Sequence, residues 1–182
     1  MTIPENLKVT DFDLYKGAFI FLLIDIVFIT ILVKRIRRDD FINMKGTLPV
    51  VMFVFFFLLF GIIASMNFWD SAYSYVFPGW SRWIVPPFYG LLFSLVGLLC
   101  RWAAIRIPLN PVLGFCIFGG LWGIVSHALA VQRGILDKPP MLQGCTPVAA
   151  MTIAAFEFVF YWCVCLVLTN MMVRLRSKFR AG

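Results

Sequence analysis

The sequence predicts an all-α integral membrane protein, a bundle of five transmembrane helices. Three observations carry that expectation. Apolar residues make up 62% of the 182 residues and charged residues only 14%, whereas soluble domains run near half apolar and a quarter charged. The mean hydropathy is +0.91. The apolar residues also fall into five separate stretches, each close to the length that crosses a hydrocarbon core. So much apolar surface cannot be hidden inside a soluble globule of this size. A soluble enzyme, a disordered tail and a secreted disulfide scaffold are all excluded, the last because five cysteines are too few and odd in number.

The spans read as residues 17–33, 48–66, 88–105, 112–131 and 148–173. The first contains Asp25. The second holds no charge and is apolar on every side, which suits a lipid-exposed helix or a contact between subunits. The third contains Arg101, and the fourth His127. The fifth contains Glu157 and is long enough to tilt or protrude. Prolines punctuate the connections: Pro86 and Pro87 before the third span, Pro108 and Pro111 between the third and fourth, Pro139 and Pro140 in the next loop, and Pro147 at the start of the fifth. Proline suits a first helical turn, where its missing N–H has no partner to lose. No repeat or low-complexity linker divides the chain, so residues 1–182 form one domain.

Orientation follows from the basic residues. One side carries Lys34, Arg35, Arg37, Arg38, Lys45, Arg106, Arg174, Arg176, Lys178 and Arg180; the other carries Lys8, Lys16, Arg82, Arg133 and Lys138. The richer side is expected to be cytoplasmic. The N-terminus is then outside and the C-terminus inside. The polar, partly acidic first sixteen residues do not read as a cleavable signal peptide. Short loops point to a bacterial inner (plasma) membrane. The net charge of +7 is accounted for by these flanking clusters, and no nucleic-acid partner is expected, because no basic groove is interleaved with stacking aromatics. The C-terminal VRLRSKFR stretch suits anionic lipid headgroups. Residues 67–87 hold Phe68, Trp69, Tyr73, Tyr75, Phe77, Trp80 and Trp83, either an aromatic belt at the headgroup level or a lid over an outer pocket.

Four ionisable side chains inside the spans, Asp25, Arg101, His127 and Glu157, are the candidate binding residues. Each is costly in lipid and should face protein or water. Helical periodicity supports this for three of them. Gly90, Ser94, Gly97 and Arg101 share a face; so do Cys116, Gly120, Gly123 and His127; so do Thr146, Ala150, Ala154, Glu157 and Tyr161. Small residues at such spacing allow close helix approach, and Gly119-x-x-x-Gly123 offers a further contact, within the bundle or in a homo- or hetero-oligomer. Asp25 lacks that support, since Ala18, Phe21, Leu22 and Phe28 share its face. At about 1.5 Å per residue, Asp25 and Glu157 come to ~12 and ~14 Å from the outer surface, His127 to ~6 Å and Arg101 to ~21 Å. A polar column open to the outer face is expected, with Arg101 reaching up to Asp25 or Glu157.

No bis-histidine haem site, P-loop, GxGxxG, HExxH or CxxC occurs, and no cofactor or metal is expected. Cys163 and Cys165 diverge on a helix, and so do Ser126 and His127. Cys145 reads as a free thiol near the outer surface or a link to another subunit. Three functions remain open. The first is a small transport protein or permease subunit using Asp25, Glu157 and His127. The second is a non-catalytic subunit anchoring a larger complex. The third is an intramembrane enzyme acting on a lipid or isoprenoid, with Glu157 as acid/base.

Overall fold

The structure, a computed structural model, describes residues 9–65, 81–132 and 144–181. The aromatic segment through Trp80, together with Lys8, Arg133 and Lys138, lies outside the described residues. All regular structure among the described residues is helical: α1 (Asp11–Arg35), α2 (Arg38–Asn43), a 3-10 turn (Met44–Gly46), α3 (Leu48–Ser65), α4 (Ser81–Arg106), α5 (Pro111–Gln132) and α6 (Pro147–Ala181). Four helices, α1, α4, α5 and α6, are long and apolar enough to cross a membrane, and α3 joins them if it is counted with α2, from which it bends by 67°.

Local chemistry fixes the helix starts. Thr10 caps α1 in a capping box, its hydroxyl accepting from the Asp13 N–H while the Asp13 carboxylate accepts from the Thr10 N–H at 3.0 Å. Asp11 and Asp13 lie at the positive end of the helix dipole, Lys34 and Arg35 at the negative end. Asn110 caps α5 by accepting from the Val112 N–H at 2.9 Å, with Pro111 in the first helical position. Thr146 and Pro147 repeat that arrangement at α6, where the Ala149 N–H donates to the Thr146 hydroxyl at 3.3 Å.

Two features depart from the sequence reading. Pro86 and Pro87 lie inside α4, which begins earlier, at Ser81. The chain between the first two spans also folds into α2, a short helix laid across the end of the bundle. Ile36, Phe41, Met44 and Leu48 are buried beneath and beside it, and the Phe41 ring meets Phe115 of α5 edge-on at 5.8 Å.

Long helices that follow one another along the chain alternate in direction. Ser94 of α4 donates to the Pro49 carbonyl of α3 at 2.9 Å, while Phe60 near the far end of α3 stacks on Tyr89 at 4.2 Å, so α3 and α4 are antiparallel. Helices α5 and α6 are antiparallel too, since Gly119 faces Trp162 and Gly123 faces Ala154. Helices α1 and α6 run parallel, tied by the Thr146 N–H on Asp11 at one end and by Arg174 on the Arg35 carbonyl at the other. Helix α6 packs against α1, α3 and α5. Its Trp162 is buried among Phe56, Phe93, Phe115 and Phe158.

Span two, apolar all round, is not simply a lipid-facing helix. Leu48, Met52, Phe56 and Phe60 recur every four residues and are buried, while Val50, Val54, Leu58 and Ile62 stay exposed. Uniform composition hides that asymmetry; the partner reveals it. Gly97 of α4 receives the Met52 thioether and Gly90 receives Phe53, a close approach that small residues permit.

Candidate functional site

In α1 the buried residues are Leu14, Ala18, Asp25 and Leu32. Their spacing of four, seven and seven is the inward seam of a packed helix. Asp25 thus occupies a core position and is 2% exposed. Both of its carboxyl oxygens are buried without a hydrogen-bond partner. The carboxyl lies on the seam of α1 that packs against α6 and, more lightly, against α5. Those two helices meet at Cys116 and Cys163, whose sulfurs are 3.6 Å apart. An unpaired buried polar group costs roughly 1–3 kcal/mol, and an isolated ionised one far more. Such a group works against the stability of the bundle.

Glu157 is half-buried on α6. It accepts a hydrogen bond from the Tyr161 hydroxyl one turn on, and the Tyr161 ring packs on Phe55 and Phe56 of α3. Glu157 therefore lies on the α3 side of α6. The α1 side of α6 is marked by Ile153 and Phe160, the latter about 60° from Glu157 around the helix. Heights differ as well. Gly17 meets Ile153, and Phe160 is bracketed by Phe21 and Phe28, which sets Asp25 level with the residues just after Phe160. Glu157 is about one turn, ~6 Å, nearer the Asp11 end. The common level expected from counting residues is corrected accordingly: the two acids stand about one turn apart along the bundle.

Arg101 does not reach either acid. Its guanidinium turns towards α2, where it donates to the Ile42 carbonyl at 2.5 Å and lies 5.9 Å from the centre of the Phe41 ring. Arg38 reciprocates by donating to the Ile105 carbonyl. Among the described residues the one salt bridge joins Lys16 and Asp13, 3.9 Å apart at the helix start. A lock of Arg101 on Asp25 or Glu157 is thus replaced by a pin between α4 and α2, because the short helix brings a bare carbonyl within the arginine's reach.

His127, half-buried near the end of α5, has its Nδ1 3.2 Å from the Gly123 carbonyl of its own helix and its ring edge-on to Phe158. Ser126 Oγ donates to that same carbonyl at 2.9 Å. Ser126 Oγ and His127 Nδ1 also stand 3.5 Å apart, closer than the divergence expected of adjacent helical residues, while the shorter contacts of both are to the Gly123 carbonyl. His127 stands nearer the Asp11 end than either acid, and the structure brings none of the four ionisable groups into direct contact with another.

Among the described residues no three His, Cys, Asp or Glu side chains stand close enough to hold a metal ion. Residue counting does not foresee the sulfur contact between Cys116 and Cys163. Its signal was the position of Cys116 on the Gly120–Gly123 face, which packs on α6. Comparison with known protein families, characterised proteins and solved structures finds no match to this chain.

Proposed function

We propose that the chain is a small multi-pass membrane transport protein or permease subunit, with Asp25 as the central group of an intramembrane polar site. The observation that carries this reading is the unpartnered carboxyl at a core position of α1. A structural acid would be retained for the bond it makes, and Asp25 makes none among the described residues. Groups that disfavour folding yet sit inside a membrane bundle mark ion and substrate paths. Glu157 with Tyr161, and His127 beyond them, would form successive polar steps towards the outer face. Asp25 is closed off in this conformation, so access would require α1 to move against α5 and α6, as alternating access demands.

The same proposal includes five crossings, an external N-terminus and a cytoplasmic C-terminus in a bacterial inner membrane. The alternating helix directions support it. So does the gathering of Lys34, Arg35, Arg37, Arg38, Lys45, Arg106, Arg174, Arg176 and Lys178 at the α2 end. Assembly with further copies or other subunits would use sides other than Gly119 and Gly123, which α6 already covers. The apolar exposed side of α1, with Phe19, Ile20, Leu23 and Val27, is the open one.

Reporter fusions at both termini test the orientation, and matching signals from the same compartment would refute it. Proteoliposomes holding the full chain and a trapped pH-sensitive dye test the activity. Flux driven by an imposed potential should be lost in Asp25→Asn, and equal flux in that variant would remove Asp25 from the site.

A further inference from the structure

The chemistry around Asp25 also identifies what it binds; this inference rests on the transport reading above and deepens it. We propose that the ion carried by Asp25 is a proton, so that the resting site is a neutral carboxylic acid rather than a carboxylate holding a metal cation. The bound ion must satisfy a carboxyl whose two oxygens receive no hydrogen bond from any described donor. A hard cation such as Na⁺ or Mg²⁺ needs several oxygen ligands around it. Among the described residues no three His, Cys, Asp or Glu side chains gather to supply them, and the α5–α6 contact opposite α1 carries the paired thiols of Cys116 and Cys163, 3.6 Å apart. Thiols are poor ligands for hard cations. The other acid, Glu157, is engaged by Tyr161 about one turn nearer the Asp11 end. The cation Arg101 is turned away onto Ile42, and His127 is held by Gly123. Among the described residues no basic group pairs with the carboxyl and no cluster of acids completes a cation site around it, and a covalently bound proton needs neither.

The proton also explains why the site can be this closed. A neutral acid crosses between two openings without dragging a hydration shell through the seam, whereas a carboxylate would have to keep water or a counter-ion with it. The single covalent O–H bond forms when the proton arrives and breaks when it leaves, and nothing else changes.

Infrared difference spectroscopy of the full chain in lipid, wild type against Asp25→Asn, tests this at neutral pH. The expected difference is the carbonyl stretch of one neutral carboxylic acid, lost in the variant and unchanged by saturating NaCl. A pair of carboxylate bands in its place would overturn the proposal. So would an acid band that sodium or silver ions abolish, silver assigning the site to the thiols. If Asp25→Asn does not insert, dicyclohexylcarbodiimide labelling of the wild type gives the second reading. The acid proton passes to one carbodiimide nitrogen, and the carboxyl oxygen adds to the central carbon. The acyl group then migrates from that oxygen to a nitrogen of the reagent, and the resulting stable N-acylurea on the Asp25 peptide is expected to fall as pH rises. Protection by sodium would overturn the proposal. A neutral-acid band with no flux in proteoliposomes would remove the transport reading and leave the proton assignment standing. Sodium-coupled flux with carboxylate bands would do the reverse.

Discussion

The closest approach of an α5 glycine to the α6 backbone lies at Gly123, and adding a single methyl there measures how strongly the bundle depends on it. A Cβ at Gly123 would stand 2.5 Å from the Ala154 carbonyl oxygen and 2.9 Å from Phe158 Cβ. The first of these is backbone, which no rotamer change can remove, so the helices must part by close to an ångström. Overpacking of this kind costs about 1–3 kcal/mol. Alanine's better helix propensity offsets up to about 1 kcal/mol of that. The net expectation for Gly123→Ala is a destabilisation of about 1–2 kcal/mol, read as a lowered midpoint of unfolding in mixed micelles. Gly46→Ala is the control, because a Cβ there meets nothing within 4 Å. A Gly123→Ala protein as stable as wild type, or more stable, would mean that α5 and α6 do not approach through this face. The placement of Cys116 and His127 relative to α6 would fall with it.

Further outcomes follow from the same contacts. Arg101→Met should cost about 1–2 kcal/mol by freeing the Ile42 carbonyl, while Glu157→Gln should cost under about 1 kcal/mol, because its amide oxygen still accepts from Tyr161. The double variant should be additive within about 0.5 kcal/mol; a coupling of roughly 3 kcal/mol would restore the buried ion pair that the structure lacks. At the other end, burial and the Asp11 and Asp13 carboxylates push the Cys145 thiol up from its usual range. Its alkylation should therefore be slower than that of an unhindered cysteine at pH 8 and should rise more steeply above pH 9, as the thiolate forms. A normal rate at pH 8 would place Cys145 away from both acids.

How much of this was legible in the sequence differs from residue to residue, for physical reasons. Span positions and the small-residue faces of α4, α5 and α6 could be read because lipid imposes length and close packing imposes spacing. The Gly90–Gly97 and Gly120–Gly123 faces do lie at helix contacts. The inward seam of α1 was less visible, since Leu14, Ala18, Asp25 and Leu32 lie among equally apolar neighbours and hydrophobicity does not distinguish lipid from protein. Arg101 was sent to the wrong partner. Depth counting treats a span as a ruler and had no knowledge of α2, whose six residues supply the carbonyl that the guanidinium takes. Asp25 and Glu157 were assigned one level by the same ruler, but the ties between α1 and α6 offset them by a turn.

The central claim is that Asp25 is held at a core position for what it binds and against the interest of the fold. Replacing it with leucine in one preparation, and measuring stability and flux together, tests that claim most directly. An apolar side chain removes an unsatisfied buried group worth roughly 1–3 kcal/mol, so Asp25→Leu should be at least as stable as wild type. It should carry no proton flux, the expected trade of stability against activity at a functional site. A variant that is strongly destabilised, or one that is stable and still conducts, would contradict the account.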